Sequence, residues 1–288
     1  MKIYDAVVVG AGPAGCAAAL YMVRGGVKVR VFHNGKSALS KAHTIDNYYG
    51  ASTSGAELYE TGLNQIKAAG AETVLAEVVA CSFDGEYFHT VASDETVSKK
   101  LVVATGAARV KPNIRGIEEL EGKGVSYCAV CDAFFYRNKK VAVLGAGEFA
   151  RHELNELSAV VGEVVLLTDG EKASFSADKV DCRKIIELTQ QNGKLSGVRF
   201  EDGDTLALDG LFIARGTLGG YSLAKMLGAF VDGDGVKVDE KRMTALNGLY
   251  AVGDCTPGIK QISKAAYDGM TAGLDIVASL RNENSETN

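Results

Sequence analysis

The chain has 288 residues, enough for two domains of ordinary size, each with a core of its own. With 47% hydrophobic and 23% charged residues it reads as a soluble globular protein, and no apolar run reaches the length of a membrane span. A net charge of −5 gives no broad pull toward nucleic acid or anionic lipid, so neither a nucleic acid nor a membrane is expected as a partner.

The opening MKIYDAVVVG reads at once as a strand, leaving no room for a charged leader and a cleavable apolar segment, so a cytoplasmic protein is the expectation. The strand runs into VVVGAGPAG, where Gly10, Gly12 and Gly15 have GxGxxG spacing between strand and helix. Dinucleotide binding asks for this order: a tight turn, close backbone approach to a pyrophosphate, then close helix packing with the helix amino end toward the anion. A merely structural turn would show the same glycines. A helix follows over Gly15 to Arg24, and the next strand, VKVRVFHNG, ends in His33. An acid that takes the ribose hydroxyls is expected there, about 20 residues on. His33 can hydrogen-bond a ribose, or be a solvated strand end.

A second helix is expected over Ser54 to Ala69. The apolar runs Ala6 to Val9, Leu101 to Ala104, Val141 to Leu144, Leu211 to Ala214 and Leu249 to Val252 suit strands buried on both faces of a parallel sheet. Val110 to Gly116, with Pro112, reads as a crossing between domains, and Met243 to Gly248 as the return. The discontinuous domain is then 1–111 plus 244–288, with 112–243 inserted. The polar tail NENSETN should fray.

Between the crossings lies GVSYCAVCDAFFY. Of six cysteines (16, 81, 128, 131, 182 and 255), only Cys128 and Cys131 form a CxxC, which in a reducing compartment points to redox or metal chemistry. Half a zinc site would need a second pair or histidines nearby, and neither is present, so no metal is expected. Asp132 can move a proton to or from a departing thiol. Phe134 and Phe135 read as core packing for the segment, with a contact surface as the alternative. Cys16 reads as a small buried hydrophobe, and Cys255, after Gly253 and Asp254, as structural, with a second redox pair as the alternative.

A second glycine turn, VAVLGAGEFA, offers Gly145, Gly147 and Ala150, and the strand after its helix ends in Thr168, Asp169 and Gly170. No arginine follows. Lacking two charged partners for a 2′-phosphate would cost on the order of 3–6 kcal/mol. NADPH is disfavoured, while NADH, which wants an acid there, stays open.

Taken in order, VVVGAGPAG, LVVATGA, GVSYCAVCDAFFYRNKKVAVLGAGEFA and GLYAVGDC with QISKAA resemble the low-molecular-weight thioredoxin reductase family of flavoproteins over nearly the whole chain. The resemblance implies an FAD domain in two sequence pieces, an inserted pyridine-nucleotide domain carrying the CxxC, and a homodimer. By resemblance, Gly10, Gly12, Ala14 and Gly15 face the FAD pyrophosphate, Asn47 in DNYYG lies near the flavin, and Thr105 and Gly106 line the cofactor. Asp254 holds its ribityl or phosphate portion, and Gln261 with Ile262 approaches the ring. Cys131 is implied as the sulfur nearer the flavin, Cys128 as the thiol that attacks thioredoxin, and Asp132 as acid or base.

The departures are specific. The family's GGGxSA turn is GAGEFA here, its His-Arg-Arg run is replaced by Thr168-Asp169-Gly170, and the chain from there to LFIARG is shorter than in the NADPH enzymes. In this the chain resembles the ferredoxin-dependent flavin thioredoxin reductases. The fold expected is therefore α/β, with two Rossmann-like nucleotide-binding domains, the second inserted in the first and shortened. The activity expected is thioredoxin reduction through Cys128 and Cys131 with electrons from ferredoxin. An NADH-dependent enzyme, a flavin disulfide reductase with another donor, and a nonenzymatic flavin protein are the alternatives.

Overall fold

The computed structural model describes residues 2–106, 112–127, 129–215, 219–232 and 235–286. It forms two compact units, Met1–Ala108 with Gly219–Asn288, and Arg109–Leu218.

In the first unit Ile3–Val9 sits between Val29–His33 and Glu95–Val103, parallel to both, and Glu72–Leu75 extends the sheet beyond Val29–His33. Leu249–Ala251 pairs parallel with the end of Glu95–Val103, whose earlier part carries the antiparallel strands Phe88–Val91 and Ala80–Phe83. Ala6, Val7, Val8, Leu101, Val102 and Val103 are fully buried, which explains their unbroken apolar runs. Each valine or leucine so buried stabilises the unit by roughly 1.5–3 kcal/mol. Helix Pro13–Arg24 packs with helix Ile262–Glu286 through Ala14, Ala18, Ala272 and Ile276. Helix Gly55–Ala69 starts on a reciprocal cap: Ser54 Oγ accepts from the Glu57 N–H, and Glu57 Oε2 from the Ser54 N–H.

Two expectations change. The tail is helical through Glu286, because Lys100 Nζ lies 2.5 Å from Glu283 Oε1 and Arg281 reaches the Gly25 carbonyl, tying down the last turns. The chain also returns to the first unit at Gly219, before the expected 244. Helix Gly220–Met226 buries Leu223 and Ala224, and the hairpin Val231–Asp232 with Gly235–Val236 buries Val236. A Cβ at Gly220 would meet the Cys255 Cβ at 2.7 Å, so the segment is packed on the first unit's sheet end and cannot belong to the insert. Hydrophobic patterning alone does not distinguish which core such a segment joins.

The second unit carries a parallel sheet in the order Val180–Asp181, Glu163–Leu167, Lys140–Leu144, Gly210–Ile213, Val125–Ser126. A three-stranded antiparallel sheet, Ile185–Gln191, Lys194–Phe200 and Thr205–Ala207, packs with it around Leu144, Leu167, Val198 and Phe200. Helix Glu148–Ser158 crosses from Lys140–Leu144 to Glu163–Leu167, but the next crossover, from Leu167 to Val180, has no helix.

Candidate active site

Parallel pairing of Val9 with both Phe32 and Val103, and of Val103 with Ala251, brings four strand ends to one edge of the first sheet. The connection from Ile3–Val9 runs to Val29–His33 on one side, and the one from Glu95–Val103 returns to Leu249–Ala251 on the other, which opens a crevice at the carboxyl ends of the strands. Gly10 turns there with φ +107, and a Cβ on it would lie 2.4 Å from the Ala104 carbonyl oxygen. A Cβ on Gly15 would lie 1.8 Å from the Gly10 carbonyl oxygen, so only glycine lets the helix start against the turn. Gly12 caps that helix without any side-chain acceptor, leaving its positive amino end facing the crevice.

The other expected residues gather around this turn. Thr105 and Gly106 follow Ala104, whose N–H donates to the Val9 carbonyl, and Thr105 Oγ1 is buried with no hydrogen-bond partner among the described residues. The Gly253–Cys255 turn lies against Ala14, since a Cβ at Gly253 would meet the Ala14 Cβ at 2.7 Å. Asp254 is half-buried, and its carboxylate has no ion pair among the described residues. Asn47 Nδ2 donates to Gln261 Oε1 at 3.4 Å across 214 residues, joining the hairpin Ile45–Tyr48 and Ala51–Thr53 to the start of helix Ile262–Glu286, where Ile262 is half-buried. His33 Nδ1 lies 3.2 Å from the Tyr59 hydroxyl, and burial, assisted by Lys67, holds the imidazole below its ordinary value, favouring the neutral ring.

Sequence reasoning missed what holds this edge. Asp268 is fully buried and accepts from the Gly253 N–H at 3.1 Å, with Lys264 Nζ at 2.8 Å and Arg242 Nε at 2.9 Å. The i, i+4 pair Lys264–Asp268 was the available signal; the arginine and the turn amide come from distant chain. Burial pushes the Cys16, Cys81 and Cys255 thiols up to about 12, which favours the protonated form, and Cys255 Sγ lies 3.2 Å from the Val252 carbonyl oxygen.

In the second unit Cys128 lies outside the described residues. Cys131 and Asp132 sit on the short helix Ala129–Asp132. Asp132 Oδ2 accepts from Ser126 Oγ at 2.6 Å, and the Ala129 N–H donates to Glu153 Oε2 at 2.6 Å. Phe134 and Phe135 are 67% and 68% exposed, edge to face, so the core reading gives way to a surface one. Two aromatic residues directly after the CxxC helix face outward on a 3-10 turn, Ala133–Tyr136, that buries Ala133 instead.

The second glycine turn is occupied by the protein's own groups. Asp169 Oδ1 accepts from the Ile185 N–H at 2.8 Å and Oδ2 from Arg215 Nη1 at 2.8 Å, and Arg215 also holds Glu171. No arginine follows Asp169 directly along the chain, but Arg215 reaches it from 46 residues away, and between two carboxylates it is already neutralised. Glu148, in the first helical turn where a pyrophosphate would sit, pairs with Arg151 at 2.5 Å. Both the N–H and Oγ of Ser174 bond the Ala146 carbonyl, folding the loop onto the turn.

The family model described as pyridine nucleotide-disulphide oxidoreductase matches residues 4–269. An atypical thioredoxin reductase, TRi, from Desulfovibrio vulgaris Hildenborough superposes with TM-score 0.91 at 36% identity, covering 97% of this chain and 99% of that one. A ferredoxin-flavin thioredoxin reductase from Clostridium acetobutylicum gives TM-score 0.75 at 30% identity, with 97% and 99% covered. A thioredoxin reductase of Aquifex aeolicus is 32% identical over 96% of this chain and 93% of its own length.

Proposed function

The chain belongs to the pyridine nucleotide-disulphide oxidoreductases and is an FAD-dependent thioredoxin reductase; from that premise we infer that its electrons come from reduced ferredoxin and not from NADPH or NADH. The observation that carries the choice of donor is Asp169. The acid that would select the adenosine ribose of NADH has both carboxylate oxygens bound, by the Ile185 N–H and Arg215, and Glu148 puts a like charge where the pyrophosphate would lie. Releasing Asp169 would break a charged hydrogen bond and a partly buried ion pair before any ligand contact formed, at a cost of about 3 kcal/mol or more. The likeness to the Clostridium protein supports the same donor.

The sheet edge of the first unit suits FAD. The uncapped helix end at Gly12 to Gly15 fits a pyrophosphate, the orphaned Thr105 Oγ1 lacks a polar partner that a ligand can provide, and the unpaired Asp254 carboxylate can accept from ribityl hydroxyls. Gly10, Gly12, Ala14 and Gly15 would hold the pyrophosphate, His33 the ribose, and Thr105, Gly106, Asn47, Gln261 and Ile262 the remaining length. When bound, FAD supplies the link between a one-electron donor and a two-electron disulfide.

The chain's own groups do the thiol chemistry. The Cys128 thiolate attacks one sulfur of the thioredoxin disulfide, breaking that S–S bond and forming a mixed disulfide. Asp132 takes the Cys131 proton, the Cys131 thiolate attacks Cys128, and the proton passes to the thioredoxin thiolate that leaves. Ser126 Oγ, 2.6 Å from Asp132 Oδ2, fixes the carboxylate for this transfer. Phe134 and Phe135 form the docking face for thioredoxin. A homodimer belongs to the same reading, supported by Tyr267 and Leu274, each 52% exposed on helix Ile262–Glu286 beside a groove lined by Leu20, Tyr21 and Met270. The reaction is placed in the cytoplasm, where thiols stay reduced; among the described residues no helix is long and apolar enough to cross a membrane.

The test is anaerobic flavin absorbance with thioredoxin present and NADPH, NADH or reduced ferredoxin added separately. Bleaching and turnover with ferredoxin alone is the expected result; rapid bleaching by either nucleotide overturns the choice of donor.

A further inference from the structure

Helix Glu148–Ser158 buries Phe149, Glu153 and Leu157, the i, i+4, i+8 stripe that a helix turns toward a core, with Ala150 beside it. Glu153 is fully buried at the centre of that stripe, where an apolar residue would pack without losing hydration. One oxygen, Oε2, takes the N–H of Ala129, the residue that follows Cys128; the other, Oε1, is buried and has no hydrogen-bond partner among the described residues. The thiol chemistry described above makes no use of this carboxyl.

We propose that Glu153 is a positioning residue for the CxxC: by holding the Ala129 N–H it sets the backbone from Ala129 to Asp132, on which Cys131 and Asp132 are carried. This inference rests on Cys128 and Cys131 being a redox pair. A four-residue helix has too few internal hydrogen bonds to fix itself, so an acceptor from a well-packed helix decides how its first turn lies. The charged groups acting on Glu153 are Glu156 on its own helix and Asp132 on the CxxC helix. Burial first, then these two carboxylates, push its pKa up to about 7 against the pull of the Ala129 N–H. Its charge therefore changes in the pH range where the thiols work.

Two variants separate the roles. Glu153→Gln keeps a carbonyl oxygen for the Ala129 N–H and removes the ionisation; Glu153→Leu removes both and keeps the core filled. They are made in flavin-loaded protein carrying Cys182→Ser, because Cys182 is exposed and would react. After reduction with dithiothreitol and anaerobic desalting, the rate of reaction with 5,5′-dithiobis(2-nitrobenzoate) is followed against pH, alongside thermal unfolding. Two protein thiols become a disulfide while the reagent's S–S bond breaks into two thionitrobenzoate anions, releasing two protons.

The parent is expected to show an inflection near pH 7, where Glu153 ionises. Glu153→Gln should lose the inflection and keep the acid-side rate. Glu153→Leu should be slower by about tenfold at every pH, the loss of one buried hydrogen bond, with no fall in unfolding temperature. A Leu variant as fast as the Gln variant, a Gln variant that keeps the inflection, or a Leu rate that falls only with earlier unfolding would overturn the proposal. A parent that forms no CxxC disulfide is a separate result: it removes the redox pair itself, and the proposal with it.

Discussion

Replacing Asp268 should loosen the cofactor edge as well as the fold. Its carboxylate is fully buried between Lys264 and Arg242 and accepts from the Gly253 N–H and Thr256 Oγ1. Removing one partner of a buried ion pair costs about 3–5 kcal/mol, because the remaining charge is left without compensation. The side chains of Lys264 and Arg242 are 19% and 24% exposed, so both recover some hydration and the lower end applies. Asp268→Ala is therefore expected to destabilise the first unit by about 3 kcal/mol, which for a unit of this size lowers its unfolding temperature by roughly 6–12 °C. Asp268→Asn keeps an acceptor for the Gly253 N–H and should lose less. Because that N–H anchors the turn carrying Asp254, FAD affinity should fall on the order of tenfold in Asp268→Ala. Calorimetry of the FAD-free and FAD-loaded proteins, with fluorescence titration of FAD, measures both. A loss below about 1 kcal/mol would refute the buried-pair argument, and a destabilised variant with unchanged FAD affinity would refute the link between Asp268 and the turn.

Glu153 also makes stability depend on pH. Its folded-state pKa, about 7, lies above the ordinary 4.5, so the unfolded chain gives up this proton first and stability declines as pH rises from 4.5 through 7. Glu153→Gln should be no more stable than the parent near pH 4 and more stable by about 3 kcal/mol above pH 7; equal denaturation midpoints at pH 8 would contradict this. Cys128→Ser should abolish thioredoxin reduction while FAD stays bound and reducible, and a variant with normal turnover would remove Cys128 from the chemistry. Phe134→Ala with Phe135→Ala should raise the KM for thioredoxin without slowing the reaction of the CxxC with a small disulfide; a fall in both would return the pair to a structural role.

The sequence determined the features that depend on neighbours along the chain. Buried parallel strands must be apolar on both faces, so Ala6 to Val9, Leu101 to Val103 and Leu249 to Ala251 read as strands from their runs alone. A strand-to-helix glycine turn has its own spacing, which identified Gly10, Gly12 and Gly15. The alternation of such elements gave the α/β fold, and the stretch after Asp169 is a crossover without a helix.

What only the tertiary structure decided are the contacts between residues far apart in the chain. Nothing near Asp169 announces Arg215, and nothing in DNYYG announces Gln261, because each pair meets through strand order and helix packing. The segment from Gly219 joins the first unit because Gly220 packs on Cys255, a choice of core that its composition does not encode. A buried glutamate and an exposed one are the same letter. Glu153 became distinct when folding carried it away from water and against the Ala129 N–H, because desolvation and a single donor act on a carboxyl only in three dimensions.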